Sequence, residues 1–197
     1  MFRYVMTGAP GSGKTAMLRL LELRGYPVVE EAATDVIALE QALGRGEPSL
    51  NPGFIDQIVT LQRARQAACS AAPGPVFFDR SPVCTLALAR FLSFPSSPPL
   101  AAEVARLVRE QVYRTEVFLV RNQGFVAPTA ARRISFTDSL AFEAVHEQTY
   151  TELGFRLVDV PPGPLPDRVA AVLCVADKPA SSGCMDNPGY LRVDEAG

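Results

Sequence analysis

Two rhythms of hydrophobic positions alternate along this chain. Short apolar runs rich in strand formers occur at residues 2–7, 26–29, 75–79, 115–120 and 155–160. The run Pro75-Val76-Phe77-Phe78-Asp79 has no polar alternation before its terminal acid, as in a strand covered on both faces. Between these runs, apolar residues recur at the three-to-four spacing of a helix. This spacing predicts helices over 13–24, 32–43, 52–71, 100–112 and 166–176, one opened by Ser81-Pro82, and one running from Ser135 to Leu153. The boundaries have local causes. Gly25, Gly44 and Gly154 stop helices, and Pro73-Gly74-Pro75 breaks one. Ser81 is a cap with Pro82 at the first helical position. Ser135 and Asp138 have the spacing of a capping box. Residues 177–197 are polar, rich in Gly, Ser and Pro, and without periodicity. They read as a loosely held tail behind one domain over 1–176.

Strands alternating with helices predict an α/β fold, a five-stranded mainly parallel sheet with helices on both faces in a three-layer α/β/α sandwich. Right-handed crossovers bring the residues at the strand C-termini to one edge. Candidate chemistry therefore gathers at 8–15, Glu30 and Glu31, Asp79 and Arg80, Arg121, and 161–164.

The first of these segments is the most specific. Gly8-Ala9-Pro10-Gly11-Ser12-Gly13-Lys14-Thr15 spells G-x-x-x-x-G-K-T, between a strand and a helix that continues through Ala16. That context marks a phosphate loop. Its glycines let backbone N–H groups turn toward a phosphate, and the helix N-terminus adds partial positive charge. Lys14 can reach the β- and γ-phosphates, and the Thr15 hydroxyl can ligate Mg²⁺. The expected cofactors are a nucleoside triphosphate and Mg²⁺; no N-K-x-D guanine motif is present, and the choice of ATP over GTP rests on the resemblance given below.

The other segments supply what such a loop needs. Asp79, at the end of an apolar strand, is placed to serve as a second metal ligand. Arg80 can fork onto a phosphate or an anionic substrate, or lie on the surface as a solvated charge. Glu30 and Glu31 end the second strand, and either carboxylate could accept a hydroxyl proton or complement the dipole of the next helix. Arg121, Arg132 and Arg133 lie in a loop, 121–134, that carries no acid. Such a loop can close over a triphosphate and neutralise its charge. His146, on the apolar stripe of its helix with Phe142 and Tyr150, reads as a hydrogen-bonded core residue.

Bulk properties narrow the partners. The chain has 197 residues, 48% hydrophobic, with a net charge of −2. Nucleic acid is not the default partner of such a surface, and no run approaches the ~18 apolar residues of a membrane span. Cys69, Cys84, Cys174 and Cys184 show no C-x-x-C spacing and read as reduced thiols of a cytoplasmic protein.

The order GAPGSGKT, YPVVEEAATDVI, PVFFDRSP, ARRISF and ELGFRLVDVPPGPLPDRV resembles the NadR-type AAA domain family over about residues 3–176. These are small P-loop ATP-binding proteins related to nicotinamide riboside and deoxynucleoside kinases. The resemblance implies a kinase-like strand order 2-3-1-4-5, with the Asp79 strand beside the loop strand. In ring-forming AAA motors a strand intervenes, and those motors need a helical lid domain that some twenty tail residues cannot supply. The resemblance selects Glu31 over Glu30 as the base, matches Asp79 and Arg80 to an Asp-Arg pair, and matches Arg132 and Arg133 to lid arginines. It departs at Thr34, where relatives carry an arginine. It also departs in the apolar run Gly124-Phe125-Val126-Ala127-Pro128, where relatives carry polar residues. The implied activity is transfer of the ATP γ-phosphate to a small-molecule hydroxyl by a monomer or homodimer. The alternative is a nucleotide-dependent switch or slow ATPase with no small-molecule acceptor.

Overall fold

A computed structural model describes residues 1–45, 51–69, 73–124 and 135–177. Five strands, β1 (Phe2–Thr7), β2 (Val28–Val29), β3 (Pro75–Asp79), β4 (Glu116–Val120) and β5 (Arg156–Val160), form one sheet in the order β2-β3-β1-β4-β5. Every pairing is parallel. Seven helices are described: α1 (Lys14–Leu23), α2 (Ala32–Ala42), α3 (Gly53–Ala68), α4 (Pro82–Phe91), α5 (Pro98–Arg109), α6 (Phe136–Glu152) and α7 (Leu165–Ala176).

The pleat divides the core in two. Tyr4 and Met6 of β1, Phe77 of β3 and Phe118 of β4 face α1 and α7, where Met17, Leu21, Val169 and Val172 close the layer. Val5, Val76, Phe78 and Val117 face the other way, against Val83, Cys84, Leu107 and Tyr150 of α4, α5 and α6. Phe77 and Phe118 are fully buried within an aromatic cluster that includes Tyr4. Truncating Phe77 to Ala would cost about 3–5 kcal/mol. A third cluster joins α2 and α3 to α4 and α5 through Val36, Phe54, Ile58, Ala89 and Leu100.

Local signals place most boundaries. The Ser81 hydroxyl accepts from the Val83 N–H with Pro82 opening α4, and the Ser135 hydroxyl accepts from the Asp138 N–H at 3.0 Å. Helix α5 begins at Pro98, two residues before the hydrophobic spacing does, because the Ser97 hydroxyl accepts from the Leu100 N–H. It ends at Arg109, close to Gln111, which takes a left-handed φ of 46°. Strand β2 keeps only Val28 and Val29: Pro27 has no N–H to donate and contributes only its carbonyl, which accepts from Phe77 N–H. Helix α3 is shorter at both ends than its 52–71 periodicity. No described helix is long and apolar enough to cross a membrane.

Candidate functional site

The segment between β1 and α1 is shaped by its glycines. Gly8, Gly11 and Gly13 have φ of 131°, 85° and 85°. A Cβ on Gly8 would lie 2.4 Å from the Val120 carbonyl oxygen, because β1 and β4 are neighbours and the loop leaves the sheet against that carbonyl. Lys14 folds back over the loop it follows. Its Nζ donates to the Gly8 carbonyl at 2.7 Å, the Ala9 carbonyl at 3.0 Å and Ser12 Oγ at 3.1 Å. Helix α1 starts at Gly13 without a side-chain cap, whereas α4, α5 and α6 start on serine hydroxyls. Thr15 and Ala16, at the start of α1, are exposed. An uncapped helix start under a glycine loop suits an anion.

Three residues outside the motif brace this loop. Arg168 of α7 is buried. It donates to the Ser12 carbonyl at 2.8 Å and the Arg121 carbonyl at 3.1 Å, tying the loop to the ends of the neighbouring strands. Burial alone pushes its guanidinium below the ordinary value. Ser139 Oγ of α6 donates to the Pro10 carbonyl at 2.9 Å and accepts from Asn122 Nδ2 at 3.2 Å. The sequence did carry a signal for Arg168: it is a charge within the apolar stripe Leu165, Val169, Val172, Ala176. Asn122 and Ser139 carry no comparable signal.

Across the cleft, the end of β2 presents two acids that do different things. Glu30 pairs with Arg19 of α1 at 2.6 Å, and both are exposed. Glu31 is more enclosed. Its Oε1 accepts from Arg80 Nε at 2.5 Å and its Oε2 accepts from Thr34 Oγ1 at 2.7 Å. Thr34 is thus a hydroxyl donor to this carboxylate. Arg65 of α3 fixes the backbone beneath it. Its Nη1 donates to the carbonyls of Glu30 and Glu31 at 3.0 and 2.7 Å, and its Nη2 pairs with Asp35. Nothing in the spacing of α3 singles Arg65 out.

Arg80 is therefore turned toward Glu31 rather than out to solvent. Its backbone has a left-handed φ of 72°, and its N–H donates to the Met6 carbonyl of β1 at 3.1 Å. Burial opposes its charge, but Glu31, Cys84 and Asp79 more than offset this and hold the guanidinium above its ordinary value. Its Nη1 lies 3.2 Å from His146 Nε2. His146 is fully buried, as its place on the apolar stripe predicts. Burial first, then the Arg80 charge, pushes its imidazole well below the usual range.

Two cavities meet at Glu31 and Thr34. One, of about 210 Å³, is lined by Thr15, Glu30, Glu31, Asp35 and Asp79, bringing the two candidate metal ligands into one cleft. Threonine and aspartate offer oxygens, the donor type Mg²⁺ takes, and Mg²⁺ commonly completes its shell with phosphate and water. The other, of about 170 Å³, is mainly apolar, with Pro10, Phe54, Ile58 and Phe142 around Glu31 and Arg80, and Gln62 and Thr85 as its polar edge. The Thr85 hydroxyl donates to Gln62 Oε1 at 2.9 Å. Arg121 forks onto Asp159, Glu143 and Glu147, so its charge is taken up by the β5–α6 edge. Arg132 and Arg133 lie outside the described residues, as do residues 125–131 and 134 of the same loop.

A parallel β2-β3-β1-β4-β5 sheet with this loop after β1 defines a P-loop NTPase fold with kinase-like strand order. The chain belongs to the AAA domain family, whose model matches residues 3–168. Among solved structures it is similar to a NadR protein in complex with NAD and AMP-PNP (TM-score 0.63, 17% identity), covering 96% of this chain and 52% of that one. A NadR protein in complex with NR gives the same TM-score and identity, with 54% of that chain covered. The chain thus spans about half the length of these NadR structures. A deoxyadenosine kinase from M. mycoides with products dCMP and dCDP bound is similar at a TM-score of 0.55 and 13% identity, covering 89% of this chain and 98% of that one. No curated protein sequence matches the chain.

Proposed function

We propose that this protein is a Mg-ATP-dependent kinase that transfers the γ-phosphate to the hydroxyl of a small molecule. The observation that carries this reading is the position of Glu31, whose carboxylate, held by Arg80 and Thr34, borders both the Thr15–Asp79 cleft and the apolar cavity. In this reading the loop from Gly8 to Ala16 receives the triphosphate. Its backbone wraps the phosphates, and Lys14 exchanges the carbonyls of Gly8 and Ala9 for phosphate oxygens. Thr15 and Asp79 would hold Mg²⁺, which neutralises charge between the β- and γ-phosphates when bound. The acceptor lies in the apolar cavity with its hydroxyl at Glu31, which takes the proton as the oxygen attacks the γ-phosphorus and the bond to the β,γ-bridging oxygen breaks, releasing ADP. Arg80 keeps the carboxylate in place, and Arg132 and Arg133 contribute charge to the transferring group from the following loop. The NadR structure with NR and the kinase structure with dCMP support starting the acceptor search among nucleosides. Cys84 and Cys174, which form no disulfide among the described residues, support a cytoplasmic setting.

The test is ATP turnover, followed as ADP release, against a panel of ribo- and deoxynucleosides, nicotinamide riboside, sugars and amino alcohols. Wild type should phosphorylate a member of the panel. Glu31→Gln should retain ATP binding by calorimetry while transfer falls by about 10²–10⁴-fold. Hydrolysis with no member phosphorylated would make the protein a slow ATPase or switch. Equal transfer by wild type and Glu31→Gln would remove Glu31 from the mechanism.

A further inference from the structure

His146 is more than a filler of the core. It sits on α6, far in sequence from both Glu31 and Arg80, and is fully buried. Both ring nitrogens have polar neighbours. Nδ1 lies 2.8 Å from the Phe142 carbonyl, and Nε2 lies 3.2 Å from Arg80 Nη1. A carbonyl only accepts, so Nδ1 must carry the proton. A guanidinium only donates, so Nε2 must present a lone pair. The two requirements, set independently by α6 and by the end of β3, select the same neutral tautomer. A hydrocarbon of similar volume would fill the space and leave a buried N–H of Arg80 without this acceptor.

Arg80 needs such a partner. Its backbone is in the left-handed region, and its side chain has little exposure. Nε is engaged by Glu31 on one side and Nη1 by His146 on the other, so the planar fork is fixed at both ends. Phe142, whose carbonyl orients the imidazole and whose ring lies 4.2 Å from it, also lines the apolar cavity. The chain of contacts therefore runs from the wall of that cavity through His146 and Arg80 to the carboxylate at its mouth.

We propose that His146 is a positioning residue for phosphoryl transfer: held as the Nδ1–H tautomer by the Phe142 carbonyl, its Nε2 anchors Arg80 so that the guanidinium holds Glu31 between the two cavities. This rests on the reading of Glu31 as the proton acceptor. His146 lines neither of the two cavities and acts only through Arg80. Because a displacement of about 1 Å in a reacting group can cost 10²-fold, loss of the anchor should appear in turnover rather than in nucleotide affinity.

The chain has a single histidine, so ¹⁵N-histidine labelling gives one unambiguous set of ring signals. Wild type should show a protonated Nδ1 and an unprotonated Nε2, unchanged from pH 8 to well below the ordinary histidine value of about 6.5. Arg80→Met should shift the Nε2 resonance. An Nε2–H tautomer, an ordinary titration, or an Nε2 signal indifferent to Arg80→Met would overturn the proposal. The second arm is ATP turnover with water as the acceptor. His146→Phe should lower kcat by roughly 10- to 100-fold with the KM for ATP little changed. His146→Gln, whose amide oxygen can accept from Arg80, should recover most of it. A folded His146→Phe variant with wild-type kcat, or a Gln variant no better than Phe, would refute the positioning role. Glu31→Gln run alongside separates the two failures. If it turns over like wild type, the reading of Glu31 falls while the ring signals still decide the His146–Arg80 link. If it is impaired and His146→Phe is not, only the positioning role falls.

Discussion

The two walls of the cleft are built on opposite principles. The phosphate wall is one continuous segment, 8–16, whose working groups are largely backbone and whose shape is set by the φ angles of Gly8, Gly11 and Gly13. The opposite wall, the acceptor wall of the proposed reading, is assembled from side chains of β2's end, α2, α3, β3's end, α4 and α6, with Glu31 and Arg80 separated by 49 positions and Arg80 and His146 by 66. Backbone recognition tolerates change in the surroundings as long as the turn can form. Side-chain recognition depends on each packing partner and can be retuned by single substitutions. In the proposed reading, that difference suits a nucleotide site common to many proteins facing an acceptor site particular to one.

Breaking the phosphate wall should have the broadest effect, because it weakens nucleotide binding as well as turnover. Lys14→Ala removes the charge that gathers the loop and should lower ATP turnover by about 10²–10³-fold. Calorimetry should register weaker ATP binding, in contrast to Glu31→Gln on the other wall. Gly8→Ala tests whether that wall is truly a backbone structure. Its methyl would meet the Val120 carbonyl oxygen at 2.4 Å, at a φ that L-residues rarely adopt. The strain should cost about 1–3 kcal/mol, seen as a lower denaturation midpoint together with weakened ATP binding. Arg65→Ala addresses the support of the acceptor wall. Releasing the Glu30 and Glu31 carbonyls should reduce transfer by about tenfold and stability by about 1 kcal/mol, with ATP affinity unchanged in calorimetry.

The last test sharpens the contrast through pH. His146 is held well below the usual histidine range in the folded protein, chiefly by burial. In the unfolded chain it takes up a proton near pH 6.5. Its contribution to stability is therefore full above that pH and is lost progressively as pH falls below it, by up to about 1.4 kcal/mol per unit. Urea midpoints measured at pH 7 and pH 5 should fall less steeply in His146→Gln than in wild type.

Much of the architecture was legible because local rules happened to agree. The Ser81-Pro82 and Ser135–Asp138 signals marked helix starts that their hydroxyls indeed cap, and the apolar run at 75–79 is β3, buried at its centre. The resemblance supplied the strand order, which the sheet has. The acceptor wall was harder to read. Glu31 and Arg80 were both visible as candidates, but not that they bind each other. His146 was rightly read as a bonded core residue, yet its partner is a guanidinium from another layer. Arg65, Asn122 and Ser139 were missed because single polar residues on helices and loops leave no periodic trace, and Arg168 because its signal inside an apolar stripe is one residue wide.

By itself the sequence determined the glycine-rich loop, the alternation of strands and helices, and the edge of the sheet where the candidate residues gather. These depend on spacings within a few residues, where backbone geometry and hydrophobic period act directly. Only the tertiary structure decided which carboxylate is enclosed, that Thr34 donates to it, and that Arg80 spans Glu31 and His146. Those pairings arise when the packing of α2, α3 and α6 around β3 brings together polar groups that must satisfy one another away from water, and that condition has no counterpart along the chain.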